Sequence, residues 1–400
     1  MKRRILILGL IQMILLCWIA SSAYAGNVRG VTDKEIKLAC LVDFSGPGKF
    51  AGKMLAMGAK SYVDYVNSQG GIHGRKIKLV TADNGYMPNT TRAAAQKVIF
   101  KDDIFAIGFN LGSTGSAAII PMMEENKVVL MPHGANKKFY NPGNKWVFVP
   151  YSTQFNMGSR ALEFIIRERN AKARVGIIYQ DDAFGREGLQ GVEAAAKFLN
   201  VKVVKKAPYK MGTVDLSSQM RMMKKANVDW IIAWTLIPQT GALLKKKAEM
   251  KWDVNVIGNN TTAYRVIFPI LGKLADGYMA VTPIVPWQDI PPALRGILKE
   301  QKLLGVLDKT PTPTLFLSIW AYYAAMAEGL RLAGPDLTPE SFLAGLERVK
   351  DLDVDGISPK ISFTPDRHVG YFSSMVVKAF AKDKQFEVIS PIKSPVTPQD

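Results

Sequence analysis

The sequence predicts an α/β fold of two doubly wound, Rossmann-like lobes, each a parallel sheet with helices on both faces. Three observations carry this prediction. Short apolar runs alternate with amphipathic helical patterns from residue 36, and the alternation begins again after residue 151. The chain of 400 residues is 48% hydrophobic, enough for a large core but more than one core usually organises. Two lobes are therefore expected.

The first lobe is predicted from four strands separated by helices. Its first helix shows Leu55, Ala59 and Tyr62 on one face, at the spacing typical of a buried helical stripe. Because each strand is followed by one helix, the sheet should be parallel. The strands are expected at residues 36–42, 77–82, 104–109 and 128–131, and the later helices at residues 90–100 and 116–126.

The second lobe repeats the pattern, and a helical region follows it. Strands are expected at residues 174–179, 201–206, 228–233, 254–257 and 277–282, with helices at 156–169, 185–200, 216–226 and 241–250. The helical patterns at 293–304, 316–333 and 338–350 have no strands of their own to cover. We expect them to return to the first sheet, before a strand pair at 373–381 and 386–389 and an extended tail from Ser390.

This order implies that the chain crosses between the lobes three times, near Pro150, Thr282 and Ile361, in a three-strand hinge. The predicted lobe 1 comprises residues 26–150 and 284–361, and lobe 2 comprises residues 151–283 and 362–400. Ligands of open parallel sheets bind beyond the carboxyl ends of the strands. If the lobes face each other there, the binding site is the cleft between them.

The first 25 residues are predicted to be a cleavable signal peptide. Lys2, Arg3 and Arg4 precede an apolar run at residues 5–20, and small residues at Ala23 and Ala25 suit cleavage before Gly26. A membrane anchor is the weaker alternative, because the run is short for a bilayer span. The mature protein is therefore expected to be extracytoplasmic, in the periplasm.

Charge and cysteine content exclude several classes of function. Removing residues 1–25 takes away three bases and no acid, so the formal net charge falls from +18 to +15. The bases are scattered in pairs without a nucleic-acid-binding motif, so no nucleic-acid partner is predicted. Outside the signal peptide only Cys40 remains, which is expected to be a small buried hydrophobe. No metal or cofactor is predicted, because the histidines fall in separate segments and the dinucleotide and P-loop motifs are missing.

An ordered string of motifs near the amino terminus carries a family resemblance. It runs from Asp43-Phe44-Ser45-Gly46-Pro47-Gly48 through Gly52, Gly58 and Asn67-Ser68-Gln69-Gly70-Gly71-Ile72-His73-Gly74-Arg75 to Asp83. The string resembles the signature of the leucine/isoleucine/valine-binding proteins, the type I periplasmic solute-binding proteins of ABC importers. The resemblance implies a monomer without enzymatic activity that binds a small molecule and delivers it to an inner-membrane ABC permease.

Two loops are candidates for holding the ligand. The small residues of loop 112–116 precede a helix, where Ser113 or Thr114, the backbone amides and the helix dipole suit a carboxylate. Plain helix capping by a serine is the alternative. His133, Gly134 and Ala135 follow the fourth strand and should lie at the cleft edge, where His133 either bonds an anion or is solvated.

Four aromatic residues are expected to wall the cleft, because each follows a predicted strand or opens the next helix. For an aromatic residue the general alternative is core packing, which is as well supported as ligand contact for Trp234. In related proteins the position of the second-lobe phenylalanine often covers the ligand. The four residues are Phe50, Tyr86, Phe184 and Trp234.

Asn260 bears on the identity of the ligand. Where amino-acid-binding relatives typically place an acidic side chain for the α-ammonium, this chain has Asn260, which offers no countercharge. We therefore expect a small carboxylate or amide with an apolar or aromatic body. The alternative is that Asp182 or Asp215 meets an ammonium. Two other function classes stay open, a ligand-sensing receptor of the same fold and, more weakly, an exported enzyme.

Overall fold

The computed structural model of the protein describes residues 28–134 and 144–397, with the side chain of Phe50 excepted. These residues form two sheets with helices on both faces, as the sequence predicts. The predicted signal peptide and Ala135 lie outside the described residues. Within the part of the chain that the structure describes, every helix is too short or too polar to serve as a membrane span.

The first sheet is parallel and has the strand order β2-β1-β3-β4. Helix α1 covers one face, while α2 and α3 pack together on the other. The elements are β1 (Glu35–Val42), α1 (Lys49–Ser68), β2 (Lys76–Asp83), α2 (Pro88–Gln96), β3 (Ala106–Leu111), α3 (Ser113–Asn126) and β4 (Leu130–His133).

The second sheet has the order β11-β10-β9-β8-β7-β5-β6, in which β10 and β11 are antiparallel additions to a parallel sheet. Helices α4 and α5 pack together, as do α6 and α7. The elements are α4 (Gln154–Glu163), β5 (Val175–Gln180), α5 (Ala183–Phe198), β6 (Val203–Tyr209), α6 (Ser217–Lys225), β7 (Trp230–Trp234), α7 (Ile237–Glu249), β8 (Asn255–Gly258), α8 (Ile267–Leu271), β9 (Met279–Thr282), β10 (Ser374–Phe380) and β11 (Gln385–Lys393).

The helices that return after the second sheet are α9 (Pro292–Glu300), α10 (Leu304–Lys309), α11 (Pro313–Ala333) and α12 (Pro339–Glu347). Of these, α11 packs on the first sheet, as predicted. Helix α11 lies beside α1, where Trp320 meets Tyr62 edge-on at 5.0 Å. Its Tyr323 hydroxyl donates to the carbonyl of Ala39 in β1 over 3.0 Å. The single helix expected at 293–304 is instead two helices, separated by Lys302 in the left-handed conformation (φ 59°).

Strands β3 to β9 begin one or two residues later than the apolar runs predict. The runs that begin at Ile104, Val128 and Val228 each open on a residue that is buried but not paired with the sheet. The amides of Ile104, Val128 and Val228 donate to carbonyls at the end of the preceding helix. Burial of an apolar side chain therefore starts before the strand's own hydrogen bonds do.

Two segments run side by side where the chain passes between the sheets. The amide of Val149 donates to the carbonyl of His368 over 2.7 Å, and Gly370 donates back to Val149 over 2.8 Å. Ile361, the predicted third crossing, pairs instead with Leu352. The lobe limits and the three-strand hinge stay predictions; the two paired segments lie near residues 149 and 370.

Helices α4 and α5 approach so closely that glycine is required at their crossing. A Cβ on Gly191 would overlap the carbonyl oxygen of Phe155. We expect Gly191→Ala to lower the free energy of unfolding by about 1–3 kcal/mol, the usual cost of overpacking. Urea unfolding measures it. The matched control is Gly296→Ala, in α9, where a Cβ has open space and alanine should be neutral or stabilising. Equal effects of the two changes would contradict the assigned packing.

Candidate ligand-binding site

A cavity lies between the two sheets, beyond the carboxyl ends of their strands. Its volume is ≈ 50 Å³, counted as the space open to the centre of a water-sized sphere. At roughly 10–15 Å³ for each water, this is room for a small molecule only. The first sheet and its helices contribute Gly48, Ala51, Leu55, Tyr86, Leu111, Gly112, Ser113, His133, Gly134 and Leu315, and the second contributes Gln154, Phe184, Leu236, Thr261 and Tyr264.

The cavity coincides with the switch points of both sheets. In the first sheet β1 and β3 are neighbours whose connections leave in opposite directions, and in the second sheet β5 and β7 are such a pair. Gly48 and Gly112 follow β1 and β3, whereas Phe184 and Leu236 follow β5 and β7. Switch points of open parallel sheets leave a crevice between diverging loops, so the two crevices together form one site.

Ser113 opens helix α3 at the cavity wall. The N-cap position is Gly112 (φ 102°), and no side chain caps the helix. The Ser116 hydroxyl donates to the Gly112 carbonyl instead, so the alternative of capping by a serine is not what the structure shows. Ser113 is buried, and a Cβ on Gly134 would lie 2.5 Å from its Oγ atom. The Ser113 hydroxyl therefore lies beside Gly134, and α3 begins there with amides that no side chain caps.

His133 ends β4 and is buried, with 8% of its surface exposed, so it is not a solvated loop histidine. Its ring lies among Phe109, Tyr151 and Tyr322, with centroids 5.5, 5.7 and 6.1 Å away. Burial in this aromatic surrounding lowers the pKa of His133 to about 4, so the imidazole is neutral at pH 7. Its Nε2 atom has no hydrogen-bond partner among the described residues.

The predicted aromatic residues divide into two groups. Tyr86 and Phe184 line the cavity, from the first and second sheets respectively. Trp234 is fully buried but is not part of the lining: its indole packs over Gly188, and its Nε1 donates to Gln154 over 3.0 Å. The side chain of Phe50 lies outside the described structure. As ligand contacts, these assignments stay predictions.

Asn260 and Thr114 also lie beside the cavity rather than on its wall. The Asn260 amide carbonyl accepts from Gln154 over 3.2 Å, and its amino group donates to the Tyr151 hydroxyl over 3.3 Å. Thr114 is half-buried, and its hydroxyl donates across the cleft to Asp182 over 3.4 Å. The buried chain Trp234, Gln154, Asn260 and Tyr151 therefore holds the second-sheet wall in place.

The sequence did not identify several lining residues. Gln154 could have been found, because it begins a helix directly after the first predicted crossing. Thr261 and Tyr264 follow β8, as Asn260 does, and the same rule of strand ends applies to them. Leu236 follows β7, so the same rule applies to it. No sequence signal separates Ala51, Leu55, Leu111 and Leu315 from ordinary core positions.

Two carboxylates hold the loops that border the cavity. Asp43 is buried and accepts from the amides of Ser45, Gly46 and Gly48 over 3.1, 2.5 and 2.6 Å. Asp83 accepts from the amides of Phe44 and Gly85 over 2.9 and 3.0 Å. Within residues 28–134 and 144–397, no cluster of metal-ligating side chains occurs. Burial raises the pKa of Cys40 to about 12, as suits the predicted buried hydrophobe.

Comparison with known proteins decides the family. A family model described as periplasmic binding protein matches residues 35–384. The chain belongs to this family. This periplasmic binding protein is 24% identical over 328 residues to the leucine-specific-binding protein of Salmonella typhimurium, covering 82% of this chain and 85% of the relative.

Solved structures share the fold over nearly the whole chain. A fatty acid ABC transporter substrate-binding protein from Thermomonospora curvata has a TM-score of 0.82 at 22% identity, covering 92% of this chain and 95% of that one. A branched chain amino acid ABC transporter protein from Thermus thermophilus, with bound valine, has a TM-score of 0.79 at 17% identity, covering 92% and 98%. At these identities the likeness concerns the fold.

The buried neutral His133 makes stability depend on pH. Its pKa is about 4 when folded against about 6.5 when unfolded, so between these values the unfolded chain binds the extra proton. The free energy of unfolding should fall as pH drops from 6.5 to 4, by up to about 3 kcal/mol from this residue. Burial also lowers the pKa of His368. Urea unfolding of the wild type and of His133→Gln across this pH range separates the contribution of His133 from that of His368. Parallel pH curves for the two proteins would show that His133 is not the cause.

Proposed function

We propose that this chain is the extracytoplasmic solute-binding component of an ABC importer, which closes on one small molecule and delivers it to an inner-membrane permease. The observation that carries the proposal is the cavity, whose wall comes from both sheets at their switch points. The chain passes between the sheets in paired strands, so the two halves of the wall can separate without unfolding. A receptor that releases its solute to a permease needs such a site.

Closure stabilises the complex because each lobe carries only part of the binding surface. Ser113 and His133 belong to the first sheet, while Phe184 and Leu236 belong to the second. A ligand that touches both sets favours the closed form, whereas a ligand on one lobe alone does not shift the equilibrium. The Thr114 to Asp182 hydrogen bond joins the same two lobes. The closed shape is then the signal that a permease recognises.

The relatives support transport over the other function classes. Their printed names describe amino-acid-binding and fatty acid ABC transporter proteins, so they do not favour the sensing receptor, and none names an enzyme. Because those names include both amino acids and fatty acids, they leave the ligand of this chain open. We propose a monomer without a cofactor.

Closure has a direct measurement. Mass spectrometry of small molecules released from the purified protein identifies the bound compound. After its removal, adding it back should reduce the radius of gyration in small-angle scattering, because the hinge closes around it. An unchanged scattering profile at saturating compound would contradict a closing receptor.

Ser113 should contribute to binding of that compound. Removing its hydroxyl in Ser113→Ala should weaken binding by about 1–3 kcal/mol, if the hydroxyl bonds a charged group of the ligand. Calorimetry with Ser218→Ala as the control measures the loss, since Ser218 lies exposed on α6 away from the cavity. Unchanged affinity of a folded Ser113→Ala protein would place the ligand elsewhere.

Export has its own test. We propose that the first 25 residues are removed, so that the mature protein begins at Gly26 in the periplasm. Small residues at Ala23 and Ala25 are what a signal peptidase requires. Intact-mass analysis of the exported protein should give the mass of residues 26–400. An exported chain that retains residues 1–20 would contradict the cleavage.

A further inference from the structure

We propose that the cavity binds a monocarboxylic acid with an apolar body and no ammonium group, its carboxylate held by Ser113 and His133. The inference rests on the proposed solute-binding function and assigns the class of solute. Three observations support it. The cavity wall has no acidic side chain, the acids near the wall are already hydrogen-bonded, and Ser113 Oγ and His133 Nε2 have no hydrogen-bond partner among the described residues.

The cavity wall of the described structure offers no negatively charged side chain to pair with a positive charge. No lining residue of the described structure is an aspartate or a glutamate. The segment 135–143, which follows Gly134 in the chain, contributes none either, because its sequence is Ala-Asn-Lys-Lys-Phe-Tyr-Asn-Pro-Gly. Whatever conformation that segment adopts, it carries two lysines and no acid. An ammonium in the cavity would be buried without a countercharge, which is strongly unfavourable.

The acids nearest the cavity are already bonded. Asp43 accepts three backbone amides that shape the loop at Gly48. Asp182 accepts from the Gln180 side chain over 2.8 Å, from the Gly185 amide over 3.1 Å and from Thr114. Turning either carboxylate toward a ligand would leave these donors unsatisfied. Asp215 is exposed and accepts from the Ser217 amide, so it is not placed to meet an ammonium.

Asn260 does not replace the missing acid. Its carbonyl oxygen accepts from Gln154, and its amino group donates to Tyr151. The side chain is 1% exposed and is not part of the cavity wall. An α-ammonium placed nearby would compete with the Gln154 hydrogen bond for one neutral oxygen. The position therefore stabilises the protein wall and leaves no acceptor directed at the ligand.

The unpartnered polar atoms suit an anion. His133 Nε2 has no partner among the described residues, and the ring is more than nine-tenths buried. A neutral imidazole with its proton on Nε2 donates one hydrogen bond. No hydrogen bond of the Ser113 hydroxyl to another described residue is seen, and this residue opens a 14-residue helix whose first amides favour negative charge. Ser113 Oγ lies beside Gly134, the residue that follows His133, and all three residues line the cavity, so one carboxylate there can meet both side chains.

Most of the rest of the wall is apolar and suits a branched or aromatic body, although Gln154 and Thr261 also belong to it. It consists mainly of leucine and aromatic side chains from both lobes, which are Leu55, Leu111, Phe184, Leu236 and Leu315. Such a surface binds the hydrocarbon part of a ligand through burial of apolar area. One polar end and one apolar body therefore describe the ligand.

Four probes with the same isopropyl body test the class: valine, 3-methylbutanoate, 3-methylbutanamide and 2-methylpropylamine. Valine carries both charges, 3-methylbutanoate carries the carboxylate alone, 3-methylbutanamide carries a neutral amide, and 2-methylpropylamine carries the ammonium alone. By calorimetry at pH 7 we expect 3-methylbutanoate to bind at least 100-fold more tightly than each of the others. Valine or the amide binding more tightly than the carboxylate would overturn the assigned class, although either would leave the solute-binding function standing.

Variants of His133 test its assigned contact. His133→Phe removes the hydrogen-bond donor and should weaken binding of 3-methylbutanoate 10- to 100-fold. His133→Gln keeps a donor and should retain most of the wild-type affinity. Circular dichroism checks that both proteins fold. Equal affinities of the two variants would overturn the role of His133.

The compound released from the purified protein covers the case of a different body. If none of the four probes binds, a released compound that carries an ammonium group overturns the assigned class, and a released carboxylate without one supports it. If no compound is released and no probe binds, the solute-binding function itself is wrong, which separates the two failures.

Discussion

The structure depends on covering both faces of a four-stranded parallel sheet. The connections within lobe 1 place two helices on one face but only α1 on the other. Helix α11 completes that second face: Tyr323 bonds the backbone of β1, and Gly58 of α1 admits Ile319 at close range. In the chain, α11 follows strands β5 to β9 of the second sheet. The chain must therefore return across the cleft to bring α11 to the first sheet. The paired hinge and the position of Leu315 at the cavity both follow from this requirement.

Parallel sheets concentrate unpaired backbone groups and loop residues at the carboxyl ends of their strands. In this protein two aspartates, Asp43 and Asp83, accept the loop amides on one side of the first sheet. The amides at the start of α3 are left without a capping side chain. The negative groups near the cleft are thus bonded within the protein, whereas donors remain for a ligand. This asymmetry, rather than any single side chain, is the basis of the proposed preference for an anion.

Position along the strands predicted much of the site. Ser113, His133, Gly134, Tyr86 and Phe184 each lie at or just after a strand end, and all of them line the cavity. The same rule selected Thr114, Trp234 and Asn260, whose side chains lie beside the wall instead. A residue's place after a strand indicates which end of the sheet it occupies. The direction of its side chain depends on local backbone angles and on neighbouring packing, which the linear pattern does not contain.

The sequence by itself determined the two α/β lobes, the order of strands and helices, and the family, because hydrophobic periodicity and the glycine-containing loop motifs are local properties. Only the tertiary structure decided where strands begin, which of the candidate residues line the cavity, and that Leu315 and Gln154 complete its wall. It also showed that His133 is buried and neutral. These features arise from contacts between segments far apart in the chain, and burial and hydrogen-bond partners are set by such contacts rather than by neighbouring residues.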